Sequence, residues 1–153
     1  MKGIKGMQTY NLQPGENVIY YSEKASHISA QFITAELILT NMNIVVARYP
    51  NKFFKKNKND ISIINFPLTQ IQINDGVARM SSNKSSRTIT IHFTSGKEEF
   101  EFDNKKMMKQ WATGIRQLLL SMNLINRFDE DAEDDKALTV FSIASHIVEN
   151  IDL

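Results

Sequence analysis

The chain has 153 residues, 42% of them hydrophobic and 23% charged, with a formal net charge of +1 at neutral pH, a length that suits one domain with a modest extension. It contains no cysteine, which excludes disulfides, thiolate metal sites and cysteine nucleophiles and fits a reducing, cytoplasmic setting. No apolar run approaches the roughly 20 residues a bilayer-spanning helix needs, and the basic start Met1-Lys2-Gly3-Ile4-Lys5-Gly6-Met7 lacks the apolar core of a secretory signal.

In chain order, residues 1–15 are weakly patterned and end in the turn signal Pro14-Gly15. Residues 17–22 are rich in β-formers and read as a first strand. After a polar gap, residues 28–32 alternate weakly, as the start of a second strand would. Residues 36–40 and 44–48 flank Asn41-Met42-Asn43. Asparagine tolerates positive φ, so this unit reads as a hairpin. Residues 49–60 contain Pro50 and the cluster Lys52-Phe53-Phe54-Lys55-Lys56-Asn57-Lys58, and read as an extended loop. Residues 61–66 form a further strand stopped by Pro67. Residues 71–74 alternate, Asp75-Gly76 turns or bulges, residues 77–80 resume, and residues 81–86 make a polar turn.

The clearest unit follows. Residues 88–94 and 97–103 alternate apolar with polar side chains across a turn at Ser95-Gly96, which puts Ile89, Ile91 and Phe93 on one sheet face with Phe100 and Phe102. From Asn104 the period changes to three and four. Met108, Trp111, Ile115, Leu118 and Met122 form one helical stripe, and the adjacent sheet face is the surface it covers. Gly114 within that helix costs about 1 kcal/mol against alanine, which points to close approach between helix and sheet. About seven short strands before one helix suggest a mainly β domain, a sandwich or open barrel capped by the helix.

Beyond Leu124 the composition shifts. Residues 1–126 carry 16 Lys and Arg against 9 Asp and Glu, a balance of +7, whereas residues 127–153 carry 2 against 8, a balance of −6. We therefore divide the chain into a domain, 1–126, and an extension, 127–153. The block Asp129-Glu130-Asp131-Ala132-Glu133-Asp134-Asp135 has almost nothing to bury and reads as a solvated linker. Residues 137–153 recover helical spacing, with Phe141, Ile147, Val148 and Ile151 on one side. A lone helix of that length is marginal in water, so it is expected to dock.

Three local patterns share a likeness. Leu12-Gln13-Pro14-Gly15-Glu16-Asn17-Val18-Ile19 resembles an L-x-x-G-E-x-V-I lead-in to a first strand. Glu36-Leu37-Ile38-Leu39-Thr40-Asn41 followed by Ile44-Val45-Val46 resembles an L-x-L-T-N hairpin. Phe66-Pro67-Leu68-Thr69-Gln70-Ile71 resembles an I-P-L-x-x-I motif. With Trp111 in the closing helix, residues 10–122 resemble a bacterial pleckstrin-homology-like (PH-like), GRAM-related domain. The resemblance implies a seven-stranded antiparallel open barrel or sandwich capped by one helix, and a non-enzymatic binding or scaffold role with self-association, since some bacterial relatives of this kind form rings. The pattern departs from the family in its cations. The hairpin turn carries Met42-Asn43 where GRAM-like domains often have Lys or Arg. Residues 22–29 offer only Lys24 where phosphoinositide-binding PH domains cluster several. A phosphate clamp needs several converging charged donors, so specific phosphoinositide recognition at the usual site is not expected.

The remaining candidates divide as follows. Lys52, Phe53, Phe54, Lys55, Lys56 and Lys58 could insert two rings at an anionic membrane interface, each lysine contributing about 1 kcal/mol. The same residues could instead contact a protein partner or fold back onto the sheet. Nucleic acid is not expected, because the body's charge is spread rather than striped. Phe141, Ile147, Val148 and Ile151 either cap their own domain or bind another copy, and self-association is the favoured reading. His27, His92 and His146 show no ligand spacing, so no metal site is expected. Glu98, Glu99, Glu101 and Asp103 read as exposed strand carboxylates, and Lys84, Arg87 and Lys97 as ordinary surface charges. No nucleophile–base pair or phosphate-cradling glycine loop is present, and no catalytic residue or cofactor is expected. Two roles remain open: a cytoplasmic scaffold acting through protein contacts as a homo-oligomer, or a peripheral membrane module using the 52–58 loop, with the acidic tail shielding it.

Overall fold

Pro14 and Gly15 set the first turn. The Glu16 N–H donates to the Gln13 carbonyl at 2.9 Å, and Gly15 takes φ +79°, the left-handed value that a type II turn requires at its third residue and that a Cβ would penalise. The computed structural model describes residues 10–28, 33–48 and 62–128. It runs β1 (Val18–His27), β2 (Ile33–Thr40), β3 (Asn43–Arg48), β4 (Ser62–Pro67), a 3-10 turn (Leu68–Gln70), β5 (Ile73–Asn74), β6 (Val77–Ala78), β7 (Met80–Asn83), β8 (Thr88–Phe93), β9 (Gly96–Phe102) and α1 (Lys105–Ser121). Seven strands form one antiparallel sheet in the order β4-β3-β2-β1-β9-β8-β7, and β5 pairs separately with β6. The described chain is mainly β with one helix after the strands, as the patterning predicts.

Several boundaries differ from the sequence pattern. The polar stretch after Ser22 is not a gap: β1 continues to His27, with register shifts between Val18 and Tyr20 and between Ser22 and Ala25. These irregularities break the simple alternation by which a strand is recognised. Only Ile28 of the expected second strand at 28–32 is described, and it lies outside any strand; β2 starts at Ile33. Ser81, Ser82 and Asn83 belong to strand β7, paired with Thr90, Ile89 and Thr88, so the turn shrinks to residues 84–87. Such polar residues adopt strand geometry here because β8 supplies the ladder partners. Asp75 (φ 51°) and Gly76 (φ 78°) make a tight turn between β5 and β6, with both residues left-handed as a type I′ turn requires. Gly96 already belongs to β9, opposite Phe93.

The core forms where the inward side chains of the sheet meet α1. Ala35, Leu37, Leu39, Ile44 and Val46 from β2 and β3 join Ile89, Ile91, Phe93, Phe100 and Phe102 from β8 and β9. From α1, Met108, Trp111, Ile115 and Leu118 complete it, and the Trp111 ring lies 5.2 Å from that of Phe102. The buried side of the helix is wider than one stripe and includes Ala112, Thr113, Gly114, Arg116 and Leu119. Asn104 caps the helix by accepting the Met107 N–H at 2.8 Å, satisfying an otherwise orphan donor. After α1 the chain stays docked. Ile125 and Phe128 are buried in the same core, and the Asn126 N–H donates to the Gly76 carbonyl at 3.0 Å.

Candidate functional site

The residues expected to contact a membrane or partner, Lys52, Phe53, Phe54, Lys55, Lys56 and Lys58, lie outside the described residues, as do Phe141, Ile147, Val148 and Ile151. The strands bracketing the first group are described. Arg48 and Ser62 are register partners, so the connection between β3 and β4 leaves the sheet where Arg48 faces Ala35 and where, next along, His27 faces Ile33 and Phe100.

Three polar centres are built from described residues. The first is Glu16, whose side chain is buried. Its oxygens accept from the Tyr10 hydroxyl at 2.8 Å, the Gln13 N–H at 2.9 Å, the Thr40 hydroxyl at 2.6 Å and the Asn43 amide at 2.9 Å. Burial pushes the Glu16 carboxyl up, but the donors from Gln13, Thr40, Asn43 and Tyr10 outweigh it and hold the group below its ordinary value. Burial, then the hydrogen bond and charge of Glu16, push the Tyr10 hydroxyl up to about 12. Thr40 also accepts the N–H groups of Met42 and Asn43 at 3.0 and 2.8 Å, and Asn41 bonds the Asn17 N–H and the Gly15 carbonyl at 2.7 and 2.9 Å. Gly15-Glu16 and Thr40-Asn41, two of the sequence patterns, are thus halves of one network that pins the first turn to the β2–β3 hairpin.

The second centre corrects an expectation. His27 and Glu98, far apart in sequence, meet with Nε2 and Oε1 2.7 Å apart. His27 is buried, stacked on Phe100 at 5.1 Å and edge-on to Phe66 at 5.9 Å. Glu98 is not an exposed strand carboxylate: its side chain is only 19% exposed. Strict alternation puts Glu98 on the face of Phe100 and Phe102, and β1 brings His27 opposite Phe100. If Nε2 carries the proton it donates to Glu98, leaving His27 Nδ1 buried without a hydrogen-bond partner. The period of β9 alone held the signal for Glu98; nothing local held it for His27.

The third centre is a cleft of about 300 Å³ where β9 ends beside β1, their pairing covering only Ala25, Ser26 and His27 of β1. Glu23, Lys24, Ser26, Arg87, Glu101 and Asp103 line it. Arg87 takes φ 57°, a left-handed value uncommon for a side chain of its size. Its Nη1 donates to the Asp103 carbonyl at 3.0 Å and its Nη2 lies 3.5 Å from Glu101. Three carboxylates outnumber two cations and Arg87 is already engaged, so the cleft suits polar contact more than capture of a phosphate. Among the described residues no group of three or more His, Cys, Asp or Glu is placed to hold a metal ion, and no helix is long and apolar enough to cross a membrane. No protein-family model and no curated protein matches the chain.

Proposed function

We propose that the chain is a non-enzymatic binding and scaffold module of PH-like architecture that acts in the cytoplasm through protein contacts and self-association. One observation carries this reading: seven antiparallel strands in the order β4-β3-β2-β1-β9-β8-β7, followed by a helix whose indole is buried beside β9, are compatible with the helix-capped seven-stranded form that the sequence resemblance implies. The network joining Gly15-Glu16 to Thr40-Asn41 supports it by giving two of the resembling patterns one shared structural purpose. The inward-facing ionisable groups Glu16, His27 and Glu98 are engaged by neighbours, as members of a polar network that rigidifies a core are. Light scattering of the full chain tests the reading. A mass rising with concentration above that of one chain is expected, and a single-chain mass at every concentration overturns self-association.

A second reading has its own observation. β1 and β3 both finish at the end of the sheet where β2 begins, and the sequence between β3 and β4 bears Lys52, Lys55, Lys56 and Lys58 beside Phe53 and Phe54. That cluster of cations and aromatic rings beside described strand ends supports peripheral attachment to an anionic membrane. Lys55→Gln with Lys56→Gln is then expected to lower the binding constant for phosphatidylserine vesicles at low salt, read by co-sedimentation, by roughly thirty-fold, from about 1 kcal/mol for each lysine charge lost. Wild-type protein that stays in the supernatant ends this reading.

A further inference from the structure

The two outer strands of the sheet are built differently. β7 is four residues long, and Ser81, Ser82 and Asn83 follow its buried Met80. The Met80 carbonyl accepts from the buried Arg116 of α1 at 3.4 Å. Shortness, polar side chains and a covering group are common defences of a sheet edge. β4 has few of them. Its six residues, Ser-Ile-Ile-Asn-Phe-Pro, carry no charge and two β-branched side chains, and among the described residues β3 is its one neighbour in the sheet. Only the terminal Pro67 blunts it. Ser62 and Asn65 are exposed and Ile63 and Ile64 half-buried.

We propose that the outer edge of β4 is a pairing site for β4 of a second copy, joined antiparallel about a two-fold axis. The proposal rests on the self-association reading and names its surface. A second copy fits because residues opposite one another in a sheet share a face. Two identical strands keep their core sides aligned only in a register that pairs like with like, as a self-complementary two-fold contact does. Ile64 packs against the core and Phe66 lies within it, so in the register centred on Ile64 that residue meets its own copy. Ile63 then meets Asn65, and Ser62 meets Phe66. No like charges are brought together, because the strand has none.

The test uses the full chain with Ser62→Lys and Asn65→Lys made separately. Both positions are exposed, so one chain tolerates the lysine, while in the pair the two lysines at position 65 stand diagonal to one another and each lysine at position 62 is set opposite Phe66 of the other copy. At a concentration where the wild type is dimeric, each variant is expected to show a twofold fall in mass by light scattering, and to melt at the temperature the wild type shows when diluted to the monomer. Ser81→Lys, on the exposed part of β7, is expected to leave the mass unchanged. Hydrogen exchange of the wild-type β4 amides is expected to slow as concentration rises, a readout that needs no variant to fold. A full chain that stays monomeric overturns both self-association and this edge. An oligomer that survives both β4 substitutions, or β4 exchange that ignores concentration, overturns the edge and leaves self-association standing.

Discussion

At the scale of single residues, removing the Glu16 carboxylate would leave Tyr10, Gln13, Thr40 and Asn43 short of an acceptor together. Glu16→Gln, which keeps one carbonyl oxygen, is expected to cost about 1–3 kcal/mol in urea unfolding. The pH dependence follows from the signs. Glu16 is held below its ordinary value, so its contribution is complete above the unfolded carboxylate pKa and disappears as pH falls through the folded one. The gap in urea midpoint between wild type and Glu16→Gln should therefore narrow in acid. Tyr10 is raised from 10.0 to about 12, so its contribution is complete below pH 10 and is lost as pH climbs to about 12. Tyr10→Phe should lack that alkaline step. For the second centre, His27→Phe leaves the Glu98 carboxylate without its donor and should cost about 1–3 kcal/mol. Adding Glu98→Leu should recover most of it, because replacing both partners of a buried pair is often near neutral. Glu98 reads as an exposed carboxylate although its period holds the contrary signal, since it shares the parity of Phe100 and Phe102. His27 has no such signal, because its burial depends on β1 crossing to β9, a pairing that no local pattern encodes.

At the scale of elements, the parts with a strong local signal were readable. The β2–β3 hairpin, the β8–β9 hairpin and the helix with Trp111 each announce themselves by period and punctuation. Where the signal fails, tertiary pairing overrides propensity. Ser81, Ser82 and Asn83 look like a turn and form a strand, and β1 passes through a polar stretch by accommodating a register shift between Ser22 and Ala25. The residues expected to bind a partner stand out by composition, yet none falls on an element described above. Asp75-Gly76 shows how a turn signal acquires a tertiary purpose. A Cβ on Gly76 would stand 2.4 Å from Asn126 Oδ1, on a backbone with φ +78°. Gly76→Ala is expected to lower stability by about 1–2 kcal/mol, measured by thermal or urea unfolding. Asn126→Ala in the same chain should relieve the crowding but not the cost of the left-handed backbone.

At the scale of the whole molecule, β1 is the strand that turns two sets of neighbours into one sheet, since it alone pairs with both β2 and β9. Its pairing with β9 is confined to Ala25, Ser26 and His27, and the His27–Glu98 contact beside it spans 71 positions of chain. The neighbouring hairpins close short loops, whereas this seam must wait for a long one, and long loop closures are entropically late. Ala25→Gly, at a buried seam position, should therefore speed unfolding while leaving the refolding rate almost unchanged, a φ-value near zero in stopped-flow measurements. Under mechanical or chemical load the three-residue seam would part first, dividing the sheet into β1–β4 on one side and β7–β9 on the other.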